Sequence, residues 1–276
     1  MNRLRFGTAG VPISAMNRNS LSGIFRVKEL GLSCMEVEFV RGVKMGDETA
    51  SQLGEIAKKK DVALSVHAPY YINLNSREIE KVEASKKRIL ESARIGAIFG
   101  GRSVVFHPAF YHTDPHDMVY GIVKTHMMEM VDQLADAGIE IMLRPETTGK
   151  SSQFGSLTEL LELSADIEGI MPCYDFAHLH ARGGELNSYE EFCGILDMIE
   201  EYLGKEGLDN MHIHVSGIEY GPKGERNHLI LQESDLDYKG LIKAWRDYDV
   251  KGTVICESPN LEEDALLLQG LYQESK

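Results

Sequence analysis

Cysteine is scarce in this chain. There are four in 276 residues, at positions 34, 173, 193 and 256, and no two are spaced as CxxC. That count does not make a disulfide framework. Cys34, Cys173 and Cys256 lie in strand-like apolar runs, where a free thiol behaves as a small buried hydrophobe. Long apolar runs are also missing, and none approaches the ~20 residues of a membrane span. The opening "MNRLRFGTAGVP" has no apolar signal core with a small-residue cleavage site, so a cytoplasmic protein is expected. There is no linker rich in Pro, Gly or Ser and no low-complexity tail. Positive charge is in deficit: 29 Lys and Arg against 43 Asp and Glu leave a net charge of −14. This argues against broad electrostatic binding of nucleic acid, which relies on cations neutralising phosphates. A local positive site is still open, because a bound divalent metal can override surrounding carboxylates.

What is present is a period. Strand-like runs recur as "LRFGTAG" from residue 4, "CMEVEFV" from 34, "ALSVHAP" from 63 and "SVVFHPA" from 103. They continue as "IEIMLRPET" from 139, "IMPCYDFAH" from 170, "MHIHVSG" from 211 and "TVICESP" from 253. Most are nearly continuous in apolar residues, as parallel strands covered on both faces should be. Helical patterns fall between them. "SREIEKVEASKKRILESARIGAIFG" sets Ile79, Val82, Ile89, Ala93 and Ile95 near one face. "PHDMVYGIVKTHMMEMVDQLADAG" opens on proline and closes on glycine. "NSYEEFCGILDMIEEYLGKEG" begins with a capping-box pattern, Ser188 followed by Glu191. Eight strand–helix alternations predict a single-domain α/β protein over 1–276, a (β/α)8 TIM barrel. An open doubly wound sheet is the alternative. The count of eight and the lack of a glycine-rich phosphate fingerprint favour the barrel. The least regular stretch, "SGIEYGPKGERNHLILQES", is expected to be a functional loop after the seventh strand.

A barrel carries its site at the C-terminal strand ends. Strand three ends at His67, four at His107 and five at Glu146. Strand six ends at Asp175 with His178 three residues on, seven carries His212 and His214, and eight ends at Glu257. Singly, each has a bland reading as a loop histidine or a solvated rim carboxylate. Six consecutive strands delivering His, Asp or Glu to one rim predict a metal site. Glu146, Asp175 and Glu257 would repel one another in one cavity unless neutralised, which divalent cations achieve. A carboxylate such as Glu146 can bridge two ions and leave between them a water acidic enough to attack phosphorus.

These motifs together resemble the endonuclease IV family, the zinc-dependent barrel nucleases that cut DNA at abasic sites. "HAPYYINL" is similar to that family's motif after strand three and "VVFHP" to its strand-four histidine. "ETTGKSSQFGSLTEL" is similar to its loop after strand five, "CYDFAH" to its Asp-x-x-His and "ICESP" to its strand-eight Glu-Thr-Pro. The resemblance implies a first metal held by His67, His107 and Glu146. It implies a second held by Glu146, Asp175, Glu257 and a strand-seven histidine. A gap-free reading makes that histidine His212, although His214 shares the same face. His178 would belong to a third ion. There Glu225 takes the family's Asp position, Asn227 takes its His position and His228 stands next door. Tyr70 matches a DNA-contacting tyrosine, and Tyr71 stands where the family has a base-wedging leucine. Glu146 and Glu257 would be catalytic. Two or three zinc ions are implied, manganese being an option, with abasic-site duplex DNA as partner, no membrane and a monomeric chain. Lys150, Lys223 and Arg226, in two rim loops, can contact phosphates.

A second reading uses the same rim. Sugar isomerases and epimerases related to xylose isomerase place Glu, Asp, His and Glu around one divalent metal, and two glutamates shuttle a proton beside a carbonyl. Glu146, Asp175, His212 and Glu257 satisfy that set. His67, His107 and His178, together with "HAPYYINL", favour the nuclease. The altered third site and the acidic charge favour the sugar enzyme. A barrel that binds metal without catalysis is a third class.

Overall fold

The computed structural model describes residues 2–274, and the expected strand runs form one parallel sheet. Its strands are β1 (Leu4–Ala9), β2 (Cys34–Glu38), β3 (Ala63–His67) and β4 (Ser103–Phe106). They are followed by β5 (Met142–Pro145), β6 (Cys173–Asp175), β7 (Met211–Val215) and β8 (Gly252–Cys256). The order is β5-β4-β3-β2-β1-β8-β7-β6, so each strand lies beside its sequence neighbour and β8 returns to β1. Two isolated bridges, Leu143 to Ile170 and Glu146 to Cys173, join β5 to β6 and close the barrel. The thinness of this seam has a cause. Pro145 ends β5 between the two bridges and has no N–H to donate to the ladder. The buried Arg144 guanidinium spans the seam from inside. It donates to the Pro172 carbonyl at 2.9 Å, to Ser103 Oγ at 2.8 Å and to the Asn210 carbonyl at 2.8 Å.

Helices cover the sheet: α1 (Ser20–Glu29), α2 (Asp47–Lys60), α3 (Ile79–Ile98), α4 (His116–Asp136) and α5 (Leu157–Asp166). Then come the short α6 (Phe176–Gly183), α7 (Tyr189–Asp209), α8 (Tyr238–Asp247) and α9 (Glu262–Gln273). No helix among the described residues is long and apolar enough to cross a membrane. In α3, Val82, Ile89, Ala93 and Ile95 are buried as their spacing predicts, but Ile79, the first residue of the helix, is 71% exposed. The pattern at Ser188 and Glu191 is half a capping box. Ser188 Oγ accepts from Glu191 N, while the Glu191 carboxylate turns to Asn187 N and Ser188 Oγ. The full box stands at α5, where Ser156 and Glu159 satisfy each other's backbone N–H groups. All four cysteines are free, and Cys34, Cys173 and Cys256 are buried in strands.

The stretch after β7 is ordered. Gly217–Gly221 pairs antiparallel with Gly224–Leu229 in a hairpin across the barrel mouth. Gly224, at φ +91°, makes its tight turn. The hairpin is anchored from below by Glu225 N, which donates to the Gly149 carbonyl at 3.0 Å.

Candidate metal centre

Two layers of polar side chains fill the upper barrel, because strand residues two apart share the inward face. Registered pairing places Glu36 beside Ser65 in the lower layer and Glu38 beside His67 in the upper one. Likewise His212 lies beside Thr253 below, and Asp175 beside His214 above.

Glu146 is the centre of the upper layer. Its buried carboxylate has His107 Nε2 at 3.0 Å, His214 Nδ1 at 3.2 Å, His178 Nδ1 at 3.3 Å and His67 Nε2 at 3.4 Å. Burial opposes its ionisation, but the imidazoles of His107 and His214 prevail and hold the carboxyl well below the usual range. The same contacts act on the rings. Burial disfavours charge on His67, yet its bond to Glu146 and the nearby Glu38 raise its pKa to about 10. His178 and His214 are also raised, against their burial, by the facing carboxylates.

Backbone bonds aim these rings. His67 Nδ1 bonds the Ala68 carbonyl at 2.8 Å, which leaves Nε2 facing the centre. His178 Nδ1 bonds the Thr147 carbonyl at 3.0 Å and turns Nε2 toward Glu225 Oε2, 3.5 Å away. Asp175 is the N-cap of α6: Oδ1 accepts from His178 N at 2.7 Å. The cap explains the three-residue spacing of Asp175 and His178, since one turn brings both to the mouth. Asp175 Oδ2 and Glu225 Oε2 are buried without a hydrogen bond. Buried acceptors left open in a nest of imidazoles suit a divalent cation.

Three groups of side chains bring possible ligand atoms within 4.8 Å of one another at the mouth: His67 with His107 and Glu146; Glu146 with Asp175, His214 and Glu257; Asp175 with His178 and His228. The expected His212 is not in any of them. It lies one layer down, with Nε2 2.9 Å from Glu36 and Nδ1 3.1 Å from Thr253 Oγ1, and burial lowers its pKa to about 4. His214 faces the centre instead. Both residues point inward, so the stagger between strands decides which one reaches the rim. A lower trio of Cys173, His212 and His214 also converges, but His212 uses both ring nitrogens in the bonds just given.

His228 belongs to the third group, its Nδ1 4.0 Å from Glu257, and Glu225 stands beside that group against His178. Asn227 turns outward to Glu219. Lys150 is paired with Glu225 at 3.3 Å and Arg226 with Glu219 at 3.5 Å, while Lys223 is exposed at the hairpin tip. Tyr70 and Tyr71 are 63% and 69% exposed, and the Tyr70 ring stands edge-on to His67. A cavity of about 260 Å³ opens here between Tyr70, Phe110, His107, His178 and Glu257. A larger one of about 970 Å³ lies at the far end of the barrel beside Arg144.

Sequence reasoning missed Glu36 and Glu38. The signal was in "CMEVEFV", two glutamates at alternate places in an apolar strand. Glu36 is fully buried against His212 and His214. Burial raises Glu38 to about 8, and its Oε1 has no hydrogen-bond partner.

Residues 24–272 match the family model described as xylose isomerase-like TIM barrel. The chain belongs to that family. An uncharacterized protein of Methanocaldococcus jannaschii is 46% identical over 278 residues, covering 99% of this chain and all of the relative. A probable endonuclease 4 of Oceanobacillus iheyensis is 28% identical over 173 residues, 60% of this chain and 56% of that protein. Among solved structures of the xylose isomerase-like fold, endonuclease IV of Thermus thermophilus superposes with a TM-score of 0.71 at 21% identity, over 96% of this chain and 97% of that one. A D-tagatose 3-epimerase-like protein gives 0.70 at 17% identity, over 97% and 96%. The barrel thus has neighbours of two chemistries, and fold alone does not choose between them.

Proposed function

We propose that this chain is a metal-dependent phosphodiesterase that cleaves DNA 5′ to abasic sites. The observation that carries the reading is Glu146 enclosed by four imidazoles and shared by two ligand groups. A barrel built for one ion needs only Glu146, Asp175, His214 and Glu257. The added His67, His107 and His178 supply donors for more. His67, His107 and Glu146 would hold one ion, and Glu146, Asp175, His214 and Glu257 a second. His178 with Glu225 and His228 would hold a third. Zinc suits this mixture of imidazole and carboxylate, and manganese is the alternative. When bound, such ions polarise a phosphoryl group and make a water nucleophilic near neutral pH.

The chain's own groups do the rest. Glu257 is the most open of the three carboxylates, with its side chain 14% exposed, and would take the proton of the attacking water and return it through solvent to the 3′ oxygen as the P–O3′ bond breaks. Tyr70 and Tyr71 offer faces on which a base can stack. Lys223, exposed at the hairpin tip, can meet a phosphate. Lys150 and Arg226 can do so only by leaving Glu225 and Glu219.

The second reading is a sugar epimerase of one metal. It is favoured by His214 Nδ1 lying between Glu146 at 3.2 Å and Glu257 at 3.3 Å, and by a mouth sized for a monosaccharide. One experiment separates the two. Zinc-loaded protein is incubated with a duplex carrying a single abasic site. A nick 5′ to the lesion, lost in Glu146→Gln, is expected. Intact duplex with full metal occupancy would overturn the nuclease, and conversion of a ketohexose with one manganese bound would replace it.

A further inference from the structure

We infer that Glu36 is a positioning residue for His214, setting how tightly the ion at Glu146, Asp175, His214 and Glu257 is held. The inference rests on the reading of His214 as a ligand. Glu36 comes from β2, which supplies none of the rim residues legible in the sequence, and is wholly buried among Cys34, Met35 and Val37. A carboxylate at that depth costs several kcal/mol unless it is well paired. Branched apolar side chains are the usual filling of such a layer. Oε2 is hydrogen-bonded, whereas Oε1 and His214 Nε2 meet as an ion-pair contact and neither has a hydrogen bond. Oε2 accepts from Ser65 Oγ at 2.7 Å and contacts His212 Nε2 at 2.9 Å, and Oε1 lies 2.9 Å from His214 Nε2. Thr253 Oγ1 bonds the far side of the His212 ring at 3.1 Å. His212 is therefore part of the clamp that fixes the carboxylate.

His214 is caught between two carboxylate levels. Its Nε2 faces Glu36 below, and its Nδ1 faces Glu146 and Glu257 above. The Glu36 charge 2.9 Å from Nε2 favours a proton there, which leaves the Nδ1 lone pair toward the centre. The same charge makes the ring more electron-rich and draws Nε2 downward. Outer carboxylates behind ligating histidines act in this way, and losing one costs about 10- to 100-fold in metal affinity.

The test compares wild type, Glu36→Gln and Ser65→Ala as full chains, by chelator competition with zinc and by visible absorption of the cobalt-loaded forms. Glu36→Gln is expected to weaken one ion by about 10- to 100-fold, spare the ion at His67 and His107, and shift the cobalt bands of one site only. A role in packing alone would lower thermal stability without a site-selective spectral change. Ser65→Ala, which frees one donor from the same carboxylate, is expected to weaken the same ion by roughly 3- to 10-fold. It decides the matter alone if Glu36→Gln does not fold. A wild type that takes up no divalent ion would sink the metal-centre reading itself. A wild type that loads normally, beside variants with every affinity within about twofold and unchanged bands, would overturn only the role of Glu36.

Discussion

Replacing Glu146 by glutamine keeps the shape of the side chain and removes the charge that four imidazoles share. At an effective dielectric of ~20, a charged imidazole 3.2 Å from the carboxylate, as His214 Nδ1 is, interacts with about 5 kcal/mol before desolvation. Removing one partner of such a buried set costs about 3–5 kcal/mol, since the remaining charges lose their counterion. With ~0.6 kcal/mol/K of unfolding entropy for a chain this long, the metal-free variant should melt about 5–9 °C below wild type at pH 6. The gap has a pH signature. His67 is raised to about 10, so its ion pair contributes fully below about pH 6.5 and is lost as pH rises through 10. The difference in Tm should therefore narrow from pH 6 toward pH 10. Calorimetry in chelator reads this directly, and metal analysis of the reloaded variant should find fewer tightly held ions. Melting within 1 °C of wild type at pH 6, roughly a fifth of the smallest expected shift, together with full metal content, would refute the placing of Glu146 at the centre of the charge network.

Other consequences follow from the same geometry. His67, His178 and His214 carry raised pKa values without metal, so zinc loading of all three at pH 7 should release about three protons, and affinity should rise with pH; calorimetry in buffers of different ionisation enthalpy counts them, and zero release would contradict the assignment. His214→Ala should cost the protein one ion, whereas His212→Ala should keep the full ion count, hold the ion at His214 less tightly and lose about 1–3 kcal/mol of stability from the broken lower network; the reverse result would restore His212 as the ligand. Gly149 packs against the hairpin so closely that an added methyl would overlap the Glu225 side chain, whose Cβ would be 2.7 Å away. Gly149→Ala should then displace Glu225 from His178 and empty the third group while leaving the other two loaded, as stoichiometry would show.

Much of this protein can be read from the chain. The eight apolar runs, the helical patterns between them and the rim positions of His67, His107, Glu146, Asp175, His178 and Glu257 are local properties. A strand end in a parallel barrel has one place to go, so a His, Asp or Glu there is committed to the mouth before any tertiary contact forms. The Asp175–His178 pair is local too, fixed by a helix cap.

Relations between strands were decided only by the tertiary structure. His212 and His214 have the same period and the same inward face, and the stagger of β7 against β6 and β8 lifts one to the rim and leaves the other below. Glu36 and Glu38 look like stray charges in an apolar strand until β2 lies beside β3 and sets them against Ser65 and His67. Asn227 and His228 are neighbours in sequence, yet the hairpin twists one toward Glu219 and the other toward Glu257. Which residues stand at the mouth follows from strand length. Which atoms face one another across it depends on how far each strand is shifted along its neighbour, and no single segment of sequence encodes that shift.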